Sequence, residues 1–308
     1  MILFLLGIAS MIFGLTWMRC SLSRLLGHRL QTMLADLTDS PYRGFILGIC
    51  AAVLLQGSTA VSLLSVALVG SGVLSLPQSI AILLGANIGT CSTVPLLTAI
   101  PPDILPSARP YLLASLAVGL LIRRTRPLCG SIGGFCLMLE GFTVLRTAST
   151  SLMTFDDLTA LIQTADTSPI VGIGCGILLT FLLQSASSAT LLLAALCDNG
   201  LLSLGSACCI IYGNNIGSCL SSILASLAAP HEAKMTAMAN LILNLGGTIL
   251  FLPLTTPFLT LASTVCHTTA DCLVFLHTGF NLVSSLILLP FTKQYAVFLR
   301  YLFERIQK

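Results

Sequence analysis

The stretch Gly44–Cys91, GFILGICAAVLLQGSTAVSLLSVALVGSGVLSLPQSIAILLGANIGTC, recurs as Gly172–Cys219, GIGCGILLTFLLQSASSATLLLAALCDNGLLSLGSACCIIYGNNIGSC. The copies lie 128 residues apart and align without a gap, and 20 of their 48 positions are identical. Each copy has a polar cluster that begins at a glutamine and a later Gly-x-Asn-Ile-Gly run, both inside apolar sequence. In a membrane, such a duplication predicts interrupted helices that meet at a central site, which favours transport.

Composition places the chain in a lipid bilayer. Of its 308 residues, 56% are hydrophobic and 8% are charged, and the mean hydropathy is +0.99. A soluble domain usually carries about 25% charged residues, and a soluble core of this size could not bury so much apolar surface. We therefore expect an all-α polytopic membrane protein. The run Met1–Met18 lacks a charged n-region and a small-residue cleavage site, so we expect it to be a transmembrane helix rather than a signal peptide.

Segment lengths divide the chain into two similar units. A spanning helix needs about 20 apolar residues, and runs of about 10–14 are typical of re-entrant segments. Each unit then contains a span, a re-entrant hairpin, a span broken at its Gly-Asn run (85–89 or 213–217) and another span. The expected bounds are 1–127 for repeat 1 (span 2–18, amphipathic helix within 19–42, hairpin 44–70, broken span 77–99, span 111–122), 128–252 for repeat 2 (span 128–145, hairpin 170–198, broken span 206–227, span 234–252), and 253–308 for a final span and tail.

Three crossings per unit is an odd number, so the second unit enters the bilayer from the opposite face. This predicts an inverted repeat with hairpins that enter from opposite sides. Charge placement agrees if the N-terminus is outside and the C-terminus is cytoplasmic, because most Arg and Lys then lie inside. The cytoplasmic set is the 19–43 loop with Arg19, Arg123, Arg124, Arg126, Lys234 and the tail; the acidic loop with Asp156, Asp157 and Asp166 lies outside.

The polar clusters suit an anion and small cations together. The second leg of a hairpin begins with free N–H groups and the positive end of a helix dipole, which favour an anion. Hydroxyls add donors, while amide oxygens and backbone carbonyls suit a hard cation. The candidate ligands are Gln56, Ser58, Thr59, Ser62, Asn87, Thr90, Gln184, Ser185, Ser187, Ser188, Thr190, Asn215 and Ser218. Sodium is expected at Gln56, Ser58, Asn87, Gln184, Ser187 and Asn215.

A plainer interpretation is that Ser, Thr and Gly clusters only let membrane helices pack closely. The duplication of both clusters at fixed spacing favours ligand binding. Two further polar pairs at i, i+4 spacing, Asn240/Asn244 and His277/Asn281, either support the site from behind or join helices, and the second is favoured. Glu140 is an acid within a span that could pair with Arg146 or carry protons. No Walker loop, nucleophile triad or Cys/His metal motif is present in the sequence, so an enzyme is not expected.

Leu55–Ala60 (LQGSTA) and Leu183–Thr190 (LQSASSAT) resemble the doubled Gln-Ser-Ser-Ser signature of the type II sodium/phosphate cotransporter family. Gly85–Thr90 and Gly213–Ser218 are similar to the motif that follows it, and the stretches at 244–246 and 277–281 also look like this family. The resemblance covers nearly the whole chain, in the compact bacterial form without a soluble C-terminal domain. The chain departs from the signature at Gly57 and Ala186, where a hydroxyl is lost.

The resemblance implies two re-entrant hairpins around a phosphate site with coupled sodium ions, in the bacterial inner membrane. We therefore expect sodium-coupled symport of phosphate or a related oxyanion, with no cofactor, no nucleic acid partner, and a homodimer left open. An uncoupled exporter or channel and a non-transporting membrane partner protein are the alternatives.

Overall fold

The computed structural model describes residues 2–36, 38, 40–98, 108–148 and 168–306, and within these ranges the chain is helical with no strand. Short 3-10 turns lie at Arg123–Thr125 and Leu289–Phe291. The acidic loop at 156–166 and the proline loop at 101–106 fall outside the described residues. The helices, numbered in chain order, are α1 (Ile2–Asp36), α2 (Pro41–Leu55), α3 (Ser58–Gly70), α4 (Leu76–Thr90), α5 (Thr93–Thr98), α6 (Ala108–Leu121), α7 (Arg126–Ala148), α8 (Pro169–Leu183), α9 (Ala186–Asp198), α10 (Leu204–Ser226), α11 (His231–Phe251), α12 (Thr255–Val265), α13 (Thr269–Leu288) and α14 (Thr292–Ile306).

Apolar length marks an integral membrane protein. Within the described ranges, five helical stretches are long and apolar enough to cross a bilayer, and a sixth crossing exists if the bent pair α11–α12 is one span. The five are Ile2–Leu26, Leu76–Leu96, Arg123–Leu145, Leu204–Ser226 and Thr269–Arg305. The expected all-α polytopic fold is therefore confirmed. The described part of the expected span at 111–122 is the 14-residue helix α6, which is short for a crossing.

The leading helices of the two units, α1 and α7, pack antiparallel along their length. Gly7 faces the backbone of Gly141 and Leu145, and Gly14 faces the backbone of Gly134 and Met138. Glycine lets the two backbones approach closely without side chains between them. Gly7 aligns with Gly134 and Gly14 with Gly141 at an offset of 127 residues, so each glycine meets the counterpart of the other. Antiparallel packing of equivalent helices is the arrangement that an inverted repeat requires.

Two pairs of short helices form the hairpins. α2 and α3 have 15 and 13 residues, as do α8 and α9. At 1.5 Å per residue, 15 residues extend about 22 Å, which falls short of a hydrocarbon core of about 30 Å. Each hairpin leaves its second leg through a glycine with positive φ, Gly72 at 76° and Gly200 at 68°. The observed bounds, 41–70 and 169–198, extend the expected hairpins by one to three residues.

The Gly-Asn runs do not break their helices, which corrects the sequence-based expectation. α4 stays helical through 85–89 and ends at Thr90, with a turn at 91–92 before α5, whereas α10 runs without interruption from Leu204 to Ser226. The glycines serve close packing instead: a Cβ at Gly85 would overlap the carbonyl oxygen of Phe45, and one at Gly213 would overlap that of Ile173. Each run thus seats the first leg of its own hairpin.

The expectations for the chain ends also need correction. The first span does not stop at residue 18, because α1 continues without a break to Asp36 and absorbs the amphipathic segment. Residues 255–265 form the separate helix α12, bent by 82° from α11. The expected tail is the helix α14, which begins at Thr292 after the final span. Short apolar helices with no turn signal between them were not separable by hydropathy.

Candidate functional site

Both hairpins turn at a glutamine with a left-handed backbone. Gln56 has φ 52° and Gln184 has φ 51°, and no other non-glycine residue in the described ranges has positive φ. In each, the side-chain Nε2 donates to the carbonyl three residues earlier, at 2.8 Å to Val53 and 2.7 Å to Phe181. This bond satisfies a carbonyl that the end of the first leg leaves free. The left-handed backbone costs about 1–2 kcal/mol for such a residue, and strain at two equivalent positions is typical of a functional site.

The amide oxygen of each glutamine fixes the turn to the segment beyond the Gly-Asn run. Thr93 Oγ1 donates to Gln56 Oε1 at 3.0 Å, and Ser221 Oγ donates to Gln184 Oε1 at 2.5 Å. Thr93 and Ser221 are themselves 128 residues apart. The sequence analysis missed both, although extending the repeat alignment by two residues past Cys91 and Cys219 would have paired them.

The second legs carry buried hydroxyls without a hydrogen-bond partner. They are Ser62 and Ser65 in α3 and Ser187 and Ser188 in α9, each at most 1% exposed. A buried polar group left unpaired costs about 1–3 kcal/mol, so native proteins rarely keep one without a reason. Four such hydroxyls, two in each hairpin, indicate that polar ligands bind here. Ser65 was not among the predicted residues, because it lies one turn past the glutamine cluster.

The helix ends at the two tips differ. Gly57 precedes α3 and offers no side-chain cap, whereas Ser185 precedes α9 and its Oγ accepts from the Ser188 N–H at 3.1 Å. The first N–H groups of α3 are therefore not capped by the side chain before the helix, in the arrangement that binds anions. Ser58 is buried in this first turn and Thr59 is half-buried.

Three predicted hydroxyls already donate within their own helices. Thr90 donates to the Ala86 carbonyl at 3.0 Å, Thr190 to Ala186 at 2.9 Å, and Ser218 to Asn215 at 2.7 Å. Such bonds leave the oxygen lone pairs available. These residues can therefore act as acceptors toward a cation or a proton-bearing anion, but their protons are already committed.

A buried amide network lies on the helices beside the tips. Asn87 Nδ2 donates to Asn240 Oδ1 at 3.1 Å, and Asn244 Nδ2 lies 3.5 Å from the same oxygen. Asn244 also donates to Cys219 Sγ at 3.1 Å. The pair at Asn240/Asn244 therefore both joins helices and touches the predicted ligand Asn87.

The second amide pair packs against the equivalent cysteine of the first repeat. Asn281 Nδ2 lies 3.5 Å from Cys91 Sγ and donates to the His277 carbonyl at 3.0 Å. His277 is 1% exposed, and its Nε2 has no partner among the described residues. Asn215 differs from its counterpart Asn87, because its Nδ2 bonds within α10, to the Ile211 carbonyl at 2.8 Å.

Arg19 joins the two hairpin tips, and sequence analysis placed it wrongly in a cytoplasmic loop. Its guanidinium donates to the Gln56 carbonyl through Nε at 2.9 Å and again through Nη2. Nη1 lies 3.5 Å from the Gln184 carbonyl, and Nη2 lies 3.3 Å from Ser185 Oγ. Because one guanidinium reaches both carbonyls, the two turns lie side by side, as the repeat predicted. Arg19 is located midway along α1 and ends the most apolar run, so its hydropathy resembled that of a loop residue.

The remaining intramembrane acid lies apart from this cluster. Glu140 forms an ion pair with Arg109, at 3.0 Å between Oε1 and Nε. Arg146, the expected partner, has a side chain outside the described residues. Among the described residues, no group of three or more His, Cys, Asp and Glu side chains could hold a metal ion. The cation ligands at the tips are therefore the neutral oxygens that suit sodium rather than a transition metal.

Two hairpins whose strained turns meet beside buried hydroxyls define a membrane protein of the interrupted-helix transporter class. The family profile described as Na+/Pi-cotransporter matches residues 10–147 and again residues 137–270, and the chain belongs to this family. The double match falls on the two repeat units.

Curated relatives agree with this family. The chain is 27% identical over 283 residues to "Uncharacterized protein YqeW" of Bacillus subtilis, covering 91% of this chain and 90% of that one. It is 26% identical over 296 residues to "Putative inorganic phosphate export protein YjbB" of Salmonella typhimurium, covering 95% of this chain and 54% of that one. The chain thus spans about half the length of that export protein.

A shorter match reaches the mammalian branch. Over 60 residues, 20% of this chain, it is 40% identical to "Sodium-dependent phosphate transport protein 2A" of Oryctolagus cuniculus, of which the match covers 9%. No solved structure matches the chain.

Proposed function

We propose that this protein is a secondary transporter that moves inorganic phosphate across the bacterial cytoplasmic membrane together with sodium. One observation carries the proposal. Two equivalent hairpin turns are joined through one guanidinium, and their second legs hold four buried hydroxyls with no hydrogen-bond partner. Membership of the Na+/Pi-cotransporter family supports phosphate as the substrate.

The chemistry of the tips suits both ions. The N-terminus of α3 supplies N–H groups and the positive end of a helix dipole to the phosphate oxygens. Hydroxyls from Ser62, Ser187 and Ser188 can donate to the same anion, and their lone pairs can bind sodium. Sodium beside the anion offsets its charge where the dielectric constant is low. Alternating access would follow from movement of the hairpins relative to the helices that hold them.

Export without sodium coupling is a second candidate, favoured by the printed name of the relatives called YjbB. The two candidates differ in one measurement. Purified protein in liposomes should take up labelled phosphate when sodium is outside, and uptake should fall at least about tenfold when choline replaces sodium. Equal flux in both solutions would favour the uncoupled exporter, and no flux in either would favour a non-transporting membrane protein.

We further place the N-terminus outside and the C-terminus in the cytoplasm. The positive-inside rule supports this orientation through Arg123, Arg124, Arg126 and the positive charges of α14. Arg19 no longer contributes to the argument, because it contacts the hairpin tips. A fluorescent protein fused after residue 308 should fluoresce in cells, whereas a periplasmic phosphatase fused there should be inactive; the reverse pattern would contradict this orientation.

A further inference from the structure

The guanidinium of Arg19 lies where two helices end. α2 ends at Leu55 and α8 ends at Leu183, and the carbonyls of the following residues, Gln56 and Gln184, are the ones that Arg19 contacts. Each helix C-terminus carries about −0.5 of an elementary charge. Two ends side by side therefore present roughly one negative charge, and Arg19 supplies one positive charge to it.

Gly57 provides an independent observation at the same place. A Cβ at Gly57 would lie 2.7 Å from Nη2 and 3.1 Å from Cζ of Arg19. A serine cannot occupy position 57 while the guanidinium stays where it is. The aligned residue of the second repeat is Ser185, whose hydroxyl is close to Arg19 instead. Arg19 and Gly57 are thus complementary, and together they break the symmetry of the two tips: where one repeat has a hydroxyl, the other has room for a cation.

Backbone carbonyls at a helix C-terminus, with hydroxyls nearby, are also the ligands that a small hard cation takes. Without Arg19, the carbonyls of Gln56 and Gln184 would be exposed to such a cation. With Arg19 present, their cation is covalently attached to α1. The guanidinium always remains charged in proteins, so it cannot leave or lose its charge during the cycle as a bound ion can.

We propose that Arg19 is a tethered cation that takes the place of one coupling sodium ion at the hairpin tips, so that each phosphate moves with one sodium ion fewer than it would with a serine at positions 19 and 57. The proposal rests on the proposed transport function for its effect on coupling. Its effect on sodium binding does not depend on phosphate. Arg19 is here a positioning and specificity residue, because it contacts the turns rather than the phosphate.

The first test measures sodium binding alone. Purified wild type, the double variant Arg19→Ser/Gly57→Ser and the control Arg24→Ser are melted in detergent without phosphate, in sodium and in choline at equal ionic strength. Arg24 is exposed on the same helix, five residues further on. Since a ligand that binds the folded state raises Tm, the double variant should gain about 2 °C or more in sodium. Wild type and Arg24→Ser should gain less than half as much. An equal sodium response in all three overturns the proposal.

Gly57→Ser alone covers the case in which loss of Arg19 prevents folding. This variant keeps the arginine but fills its position, so the guanidinium must leave the carbonyls. It should show the sodium response of the double variant in part. An unchanged response in folded Gly57→Ser protein overturns the proposal.

The second test measures coupling in proteoliposomes with labelled sodium and labelled phosphate. The double variant should carry one more sodium ion per phosphate than wild type. An unchanged ratio overturns the proposal, as does a double variant that binds sodium but has lost phosphate flux, because Arg19 would then be an anion ligand. If wild type itself moves no phosphate, the proposed function fails, while the sodium melting test still decides the role of Arg19.

Discussion

The substitution Gln56→Ala tests the turn of the first hairpin. It removes the bond from Nε2 to the Val53 carbonyl and leaves Thr93, which is 1% exposed, without its acceptor. A hydrogen bond contributes about 1 kcal/mol, and a buried hydroxyl left unpaired costs about 1–3 kcal/mol. We therefore expect the folded turn to lose about 2–3 kcal/mol. At about 1.4 kcal/mol per factor of ten, phosphate uptake should fall about 30- to 140-fold if the turn must hold this geometry to bind.

The assay is initial uptake of labelled phosphate by proteoliposomes, normalised to folded protein. Gln78→Ala is the matched control, because Gln78 also makes capping bonds, to Ser75 and Thr38, but at the start of α4. It should retain uptake within about threefold while losing comparable stability. Gln56→Gly separates backbone from side chain: it relieves the left-handed strain and should be about 1 kcal/mol more stable than Gln56→Ala, with uptake still low. Normal uptake by Gln56→Ala, or an equal loss in Gln78→Ala, would refute the reasoning.

Three further predictions follow from packing and buried polarity. Gly85→Ala should destabilise the protein by more than about 2 kcal/mol, because its Cβ meets the carbonyl of the facing helix, whereas Gly246→Ala has nothing within 4 Å and should change Tm little; equal melting temperatures would contradict the packing. Ser187→Ala removes an unpartnered hydroxyl, so stability without ligand should stay within about 1 kcal/mol while phosphate affinity falls, as calorimetry can measure; unchanged affinity would exclude this hydroxyl as a ligand. Asn240→Leu leaves Asn87 Nδ2 without its acceptor and should cost about 1–3 kcal/mol in thermal unfolding, so a stable variant would show that the network is dispensable.

The duplication made much of the fold predictable. Aligning the two copies located both turns at Gln56 and Gln184, because a polar cluster between two short apolar runs has few alternatives in a bilayer. The repeat also predicted that the tips would meet, and the bonds of Arg19 to both carbonyls confirm their proximity. The roles of the individual ligand residues stay predictions.

Other features depended on tertiary contacts that a single sequence does not contain. A Gly-x-x-x-Gly run such as Gly85–Gly89 is equally typical of a helix break and of close helix packing, and only the approach of the Phe45 backbone distinguishes them. Arg19 was misplaced because hydropathy treats a charge at the end of an apolar run as the start of a loop. Its role became visible only through its contacts and through the space that Gly57 leaves for it.

The most direct measurement is an electron cryo-microscopy map of the protein in lipid nanodiscs with phosphate and sodium. The account predicts density for one tetrahedral anion between the two turns, within hydrogen-bonding distance of the first N–H groups of α3 and of the hydroxyls of Ser187 or Ser188. A map at similar resolution that shows the anion bound elsewhere, or empty tips at saturating phosphate, would contradict it.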